Sequence, residues 1–284
     1  MSSKVCVGKY EVQQKIGEGS FGQIYIGKNK YTNEEVAIKL EDKDGKNLLH
    51  REAKIYNILK DLNCIPKIRN YGKEGVISYL IMDLLGKSLE DLMDLKGNLS
   101  VYYVAQIGTQ LIAGLKQIHS YGLLHRDVKP DNFLLNKQNN MDKLYIIDFG
   151  LSKSYLMKDG SHIAFNDDKN LVGTARYASI NVHNGVETSR RDDLESLGYM
   201  LIYLLKGRLP WQGLKAITKN EKYKKIKEIK ETCKLSKLCE NIPMEYHIYL
   251  EYCRKLEFSE KPNYEYLKGL FTNQLLLYNT IKIA

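Results

Sequence analysis

The sequence predicts an α+β protein of two lobes: a strand-rich first part with one key helix, then a mainly helical second part. Three observations carry this. Up to about residue 85, apolar residues recur at period two between glycines, except for one stretch at helical spacing. After Leu85-Gly86 helical spacing dominates. No linker-like stretch, internal repeat or low-complexity tail interrupts the chain, so it reads as one domain over 1–284, with lobes at about 1–83 and 84–284 and a cleft expected between them.

Residues 10–16 and 23–26 alternate as strands. Residues 36–40 form another, with Val36, Ile38 and Leu40 on one face and Ala37 and Lys39 on the other. Leu48, Ile55, Leu59 and Leu62 make a helical stripe over 47–62, and 77–82 closes the lobe as a strand. In the second lobe Val104, Ile107, Leu111, Leu115 and Ile118 mark a long amphipathic helix, with Gly122 as its stop. Residues 144–147 read as a short strand. The polar, irregular stretch over 149–181 is too long for a passive connection. Residues 193–205 are apolar on nearly every face and predict a central helix. The Lys/Glu-rich stretch 219–233 predicts an exposed helix with Tyr223, Ile226 and Ile229 inward.

Composition bounds the function. A chain of 284 residues buries roughly three quarters of its unfolded surface, so it holds a core without staples. With 43% hydrophobic and 27% charged residues, wholesale disorder is excluded. The charge of +9 favours anionic partners without choosing among phosphates, nucleic acid and acidic peptides. Cys6, Cys64, Cys233, Cys239 and Cys253 form no CxxC pair, which points to reduced thiols and no zinc site. No signal-peptide run opens the sequence, and the most apolar stretch, 197–205, is too short to cross a bilayer. The expectation is a cytoplasmic protein, with the nucleus open, and no membrane partner.

Gly17-Glu18-Gly19-Ser20-Phe21-Gly22 matches GxGxxG. Alone it fits an ordinary hairpin equally well. A dinucleotide fingerprint needs a helix after the third glycine, whereas Gln23 and Ile24 continue as strand, and the Gly-Lys-Ser/Thr of a Walker loop is missing. A glycine hairpin between strands suits a lid over phosphates. Lys39 ends a Val-Ala-Ile-Lys string, and a cation there can meet the α- and β-phosphates. Glu52 falls on the apolar stripe of the following helix, where a carboxylate is costly unless a cation such as Lys39 meets it.

The strongest string is HRDVKPDNFLL at 125–135. It fits H-R-D-x-x-x-x-N, in which Asp127 orients or accepts a substrate hydroxyl proton and Asn132 binds a metal. Lys129 is positioned to offset charge on a transferred phosphoryl group. Asp148-Phe149-Gly150 follows an apolar strand, and Asp148 is the second candidate ligand for Mg²⁺.

These strings resemble the eukaryotic protein kinase fold from about Tyr10 to Phe271. In place of the usual Ala-Pro-Glu stands Ser179-Ile180-Asn181, after Gly173-Thr174-Ala175-Arg176-Tyr177-Ala178. With SRRDDLESLG at 189–198, LPWQGLK at 209–215 and LLGKSLEDL at 84–92, the sequence resembles the casein kinase I family. The resemblance implies the bilobal kinase fold and a monomeric serine/threonine kinase using ATP and Mg²⁺. It implies activity without activation-loop phosphorylation and a preference for acidic or pre-phosphorylated protein substrates. Lys153, Lys169, Arg176 and Lys222 are then expected to form an anion pocket. Thr174 is expected to bond near Asp127, and Asp193 to anchor the catalytic loop. Ile24, Ala37, Leu134 and Ile147 would sandwich the adenine, with Ile16 in the glycine-loop strand and Met82 behind. The backbone of Asp83 and Leu85 would bind the adenine edge, the Asp83 side chain facing solvent.

The sequence departs from the family's basic string at Thr218-Lys219-Asn220-Glu221-Lys222-Tyr223, which weakens a nuclear address. The spacer at 43–47 also differs and reads as a tolerated loop. The chain stops 13 residues after Phe271, so no regulatory tail is expected. Two other classes fit the residues less well. A pseudokinase scaffold would lack the lysine or one of the two aspartates, and all three are present. A nucleic-acid-binding protein would show an aromatic-interleaved basic face; the positive charge here is spread, so no specific nucleic-acid partner is expected.

Overall fold

The alternating stretches build a six-stranded antiparallel sheet in the computed structural model, which describes residues 5–19, 22–41 and 48–283. Ser20, Phe21 and the 43–47 spacer lie outside the described residues. The strands are β1 (Cys6–Val7), β2 (Tyr10–Gly19), β3 (Gly22–Asn29), β4 (Glu35–Glu41), β5 (Ile68–Glu74) and β6 (Ile77–Asp83), in the order β1-β2-β3-β4-β6-β5. Val36 and Ile38 of β4 are buried with Val7, Tyr10, Tyr79 and Ile81 on one face, and Leu40 packs against that cluster. Ala37 and Lys39 point to the other, as side-chain alternation requires. Between β4 and β5 lies α1 (Leu48–Ile58), whose first N–H groups at Leu48 and Leu49 donate to the Glu41 carboxylate at 3.1 and 3.2 Å. A carboxylate there satisfies orphan donors and complements the helix dipole.

The chain divides into two compact units. Among the described residues the first takes those up to Lys87, together with Leu134–Asn140 and Tyr145–Gly150; the second takes the remainder. Most of the second is helical. Its early elements are α2 (Leu89–Lys96), α3 (Val101–Ser120) and the two-residue β7 (Leu123–Leu124). A 3₁₀ turn at Pro130–Asn132 leads into β8 (Phe133–Leu135), which pairs with β9 (Leu144–Ile146); β10 (Lys153–Ser154) pairs with β7. Then come α4 (Ile180–His183), α5 (Arg190–Lys206), α6 (Lys219–Thr232), α7 (Leu235–Leu238), α8 (Met244–Lys255) and α9 (Tyr264–Ile283). Helix α5 is the centre. Every residue from Asp192 to Leu204 is buried, so its sequence lacks a polar face. It packs on α3 and α8, and α3 also packs on α9. At the start of α5 the Ser189 backbone N–H donates to Asp192 Oδ2 at 2.7 Å, one half of a capping box, and the Asp192 N–H donates to the Ser189 carbonyl at 3.1 Å.

Two expectations need correction. The helix placed over 47–62 ends at Ile58, and its buried face is Leu49, Glu52 and Tyr56, followed by Leu59 just past its end; Leu48, Ile55 and Leu62 are only half-buried. The inward residues of α6 are Ile226 and Lys230, with Ile229 half-buried. Strands β1 and β5 were not foreseen, and β5 is an edge strand whose mixed exposure shows no period-two signal. Among the described residues no helix is long and apolar enough to cross a membrane.

Candidate active site

In the first unit the chemistry gathers on Lys39. Its ammonium lies 2.8 and 3.1 Å from the two Glu52 carboxylate oxygens and 3.0 Å from Asp148 Oδ1. Strand β4 delivers the lysine and the buried face of α1 delivers Glu52, whose side chain is 1% exposed. Burial alone would lower the Lys39 pKa, but the Glu52 and Asp148 charges outweigh it and hold the pKa above the ordinary lysine value. Burial raises the Glu52 pKa, and Lys39 pulls it only part of the way back. The Asp148 N–H donates to the Tyr56 hydroxyl at 3.1 Å, and Phe149 meets the Tyr56 ring edge-on at 5.0 Å. Asp148 sits at φ 64°, so this chain geometry is held by its surroundings.

The residues expected around an adenine share a property. Ile24, Ala37, Leu85, Leu134 and Ile147 are each half-buried, beside fully buried neighbours such as Val36, Ile38, Leu135 and Ile146. They belong to the first unit and leave apolar surface outside its core. Met82 is buried opposite Ala37, Asp83 is half-buried, and Ile16 is exposed. In the glycine hairpin Gly17 pairs with Ile24, Glu18 with Gln23 and Gly19 with Gly22. Gly22 has a reason within the sheet: a Cβ there would meet the Leu40 carbonyl oxygen at 2.1 Å. Gly17 has no such reason, since a Cβ would meet nothing nearer than Ile24 at 3.8 Å. Its lack of a side chain suits close approach by a phosphate.

In the second unit the catalytic string runs from β7 to the 3₁₀ turn. Asp193 of α5 accepts the backbone N–H groups of His125 and Arg126, both at 2.8 Å, and lies 2.9 Å from His119 Nε2. Burial would raise the Asp193 pKa, but these hydrogen bonds and the neighbouring histidines hold it below the ordinary carboxylate value. Arg126 is at φ 67°, a conformation rare for a long side chain. Asp127, which is 5% exposed, accepts the backbone N–H of Thr174 at 2.9 Å and its hydroxyl at 2.8 Å, both on Oδ1. Lys129 Nζ is 2.8 Å from Asp127 Oδ2. Asn132 Nδ2 donates to the Asp127 carbonyl at 2.8 Å, which leaves Asn132 Oδ1 as an acceptor. Gly173 makes the approach possible: at φ 83°, a Cβ would meet the Arg126 carbonyl at 2.4 Å.

The four expected anion-pocket residues do not form one group. Lys153 and Lys169 line a cavity with Arg126, Asn170, Glu187 and Thr188, and Arg176 and Lys222 lie outside it. Lys153 contacts Glu187 at 2.7 Å, while Arg126 and Lys169 each lie 3.9 Å from it. Burial would raise the Glu187 pKa, but Lys153 and Arg126 keep it below the usual carboxylate range. Three cations thus meet one carboxylate. Arg176 instead lies 3.7 Å from Glu90, over the rings of Tyr177 and Tyr203, and Lys222 is exposed. The sequence reading missed Arg126 and Glu187 as pocket residues; Arg126 stood inside the catalytic string but had no assigned partner.

The clustering of Asp127 with Lys129, Asn132 and Thr174, and of Lys39 with Glu52 and Asp148, is what a phosphoryl-transfer enzyme needs. Residues 10–273 match the sequence family described as protein kinase domain. The chain belongs to the protein kinase family. As a protein kinase it is an ATP-binding phosphotransferase, with the antiparallel-sheet N-lobe and helical C-lobe of that fold. Protein kinases use ATP with Mg²⁺, and the donor set here fits the cation. Among the described residues no cluster of three or more His, Cys, Asp or Glu is placed to hold a metal alone. Mg²⁺ retains waters and uses one or two protein oxygens plus substrate phosphates; the Asp148 carboxylate in the first unit and the Asn132 amide oxygen in the second are each a donor of that type.

Proposed function

We propose that this kinase is a serine/threonine kinase of the casein kinase I type, transferring the γ-phosphate of ATP to hydroxyls in acidic or pre-phosphorylated proteins. The observation that carries the reading is the double hydrogen bond from Thr174 to Asp127 beside Lys129. It joins the segment expected to receive the acceptor peptide to the residue expected to act on its hydroxyl. Asp127 orients that hydroxyl and takes its proton, and Lys129 and Lys39 balance phosphate charge. Asp148 and Asn132 are each proposed as an oxygen ligand for Mg²⁺, which would supply further charge neutralisation when bound. The half-buried apolar set around Ala37 and Leu134 holds the base.

The substrate preference is supported by the Arg126–Lys153–Lys169 cavity, where three cations exceed one carboxylate and leave net positive charge for a phosphate. Arg176, on the segment itself and beside Glu90, is a second cationic site for the same class of substrate. The enzyme is proposed to act as a cytoplasmic monomer that needs no phosphate on its own activation segment.

The test is γ-phosphate transfer from labelled ATP with Mg²⁺ onto matched peptides. One carries phosphoserine three residues before an acceptor serine; the others carry plain serine there, or tyrosine as acceptor. Strong preference for the primed serine peptide is expected. Equal use of primed and plain peptides would remove the anion preference, and transfer to tyrosine alone would remove the serine/threonine assignment.

A further inference from the structure

Helix α6 is rich in lysine and mostly exposed, yet one of its lysines is 0% exposed. Lys230 Nζ donates to the carbonyls of Ala175 at 2.9 Å and Ala178 at 2.5 Å, and lies 3.3 Å from His183 Nε2. The rings of Tyr199 and Trp211 flank it at 4.8 and 5.0 Å. The Trp211 indole N–H in turn donates to the Arg176 carbonyl at 2.7 Å. The carbonyls of residues 175, 176 and 178 are therefore all taken by side chains from outside the segment. At the same segment's start, Thr174 is fixed to Asp127.

The physical logic is one of satisfaction. The stretch before α4 belongs to no helix or sheet, so its buried carbonyls need donors from elsewhere. A buried ammonium is costly on its own, and burial lowers the Lys230 pKa. Two carbonyls and two aromatic faces offset that cost, because each presents negative charge to the cation. Neither group is well satisfied without the other.

We infer that Lys230 is a positioning residue for the peptide-binding segment, clamping the 175 and 178 carbonyls so that Thr174 stays on Asp127 with no phosphate on the segment. This rests on the reading that residues 174–178 receive the acceptor peptide. Lys230 touches neither substrate nor nucleotide in this scheme; it acts through the backbone it holds.

The experiment compares wild type with Lys230→Met, Lys230→Gln and Lys230→Arg, by steady-state kinetics for peptide and ATP separately and by amide hydrogen exchange. Lys230→Met is expected to lower kcat/KM for peptide by roughly 10- to 100-fold while the ATP KM stays within about twofold. Amides of 175–178 are expected to exchange at least about tenfold faster, with α5 unchanged. Lys230→Arg, which keeps donors for both carbonyls, is expected to recover most of the loss. If Lys230→Met does not fold, Lys230→Gln carries the same test with a smaller effect. Unchanged kinetics and exchange would overturn the clamp, as would equal losses for ATP and peptide. If wild type transfers to no peptide, the functional reading falls, and exchange at 175–178 alone decides whether Lys230 is a clamp.

Discussion

Thr174 gives both its backbone N–H and its hydroxyl to a single oxygen of Asp127, at 2.9 and 2.8 Å. The carboxylate's other oxygen faces Lys129 at 2.8 Å. Asp127 is thus oriented from two sides, which suits its proposed role of taking a hydroxyl proton. Replacing Thr174 by Val keeps the N–H bond and removes the hydroxyl one. A hydrogen bond to a charged group contributes about 1.5–3 kcal/mol, so kcat is expected to fall roughly 10- to 100-fold. Steady-state kinetics check this; a variant with wild-type turnover would show that the hydroxyl does not orient Asp127.

Asp127 itself should be the more severe site. Asp127→Asn preserves size but cannot accept a proton. Its kcat is expected to drop at least ~10²-fold while nucleotide affinity, measured by titration without peptide, stays near wild type. Near-normal turnover would remove Asp127 from the reaction.

In the N-lobe, the Lys39–Glu52 contact predicts a different signature. Glu52→Gln leaves Lys39 with Asp148 as its remaining charged partner at 3.0 Å. The ammonium then shifts toward Asp148, the proposed metal ligand, and the loss should appear in ATP kcat/KM, by at least about tenfold, rather than in peptide KM. Fluorescent-nucleotide titration over a range of Mg²⁺ concentrations distinguishes the two. A loss confined to peptide KM would contradict the role given to Lys39.

What was legible in the sequence was whatever a charge on an apolar stripe, or a fixed string, could announce. Glu52 was found because a carboxylate fell on the buried face of a helix, even though the stripe drawn for that helix was one residue off, at Leu48 rather than Leu49. Lys230 carries the same signal, lying four residues after Ile226, but the run of solvated lysines around it hides it. Strand β5 was missed because edge exposure erased its alternation. The anion residues were identified one by one but not as groups, since spacing along 153–222 says nothing of which cations meet Glu187 and which meets Glu90.

That division can be tested. Lys153→Ala combined with Lys169→Ala removes two of three cations from the Arg126 cavity, whereas Arg176→Ala removes the cation beside Glu90. Each change is expected to reduce kcat/KM for the phospho-primed peptide by roughly tenfold or more and to affect a neutral-primed peptide much less, since each removes a charge-assisted contact. Equal losses on both peptides would make these residues structural. A loss from one variant only would assign the phosphate to that site.

His183 sets an acid limit on the segment's stability. Burial and the neighbouring Lys230 push its pKa down to about 4 from 6.5, so it is neutral in the folded enzyme. The unfolded chain takes up a proton near pH 6.5 that the folded one resists until about 4. Because the unfolded state then binds more protons, stability rises with pH across this window and is lost as pH falls from 6.5 toward 4. The full effect is about 3 kcal/mol at most. Asp192, raised to about 6 by burial, runs the opposite way between its ordinary value and 6, so a wild-type pH curve alone mixes the two. The comparison is therefore with His183→Gln, whose amide can still donate to the Ala175 carbonyl now 3.0 Å from His183 Nε2. In urea unfolding the variant should equal wild type within about 1 kcal/mol at pH 7.5 and gain on it as pH falls to 4.5, by an amount set by the shift. Parallel curves for the two proteins would mean that His183 is not held neutral by its site.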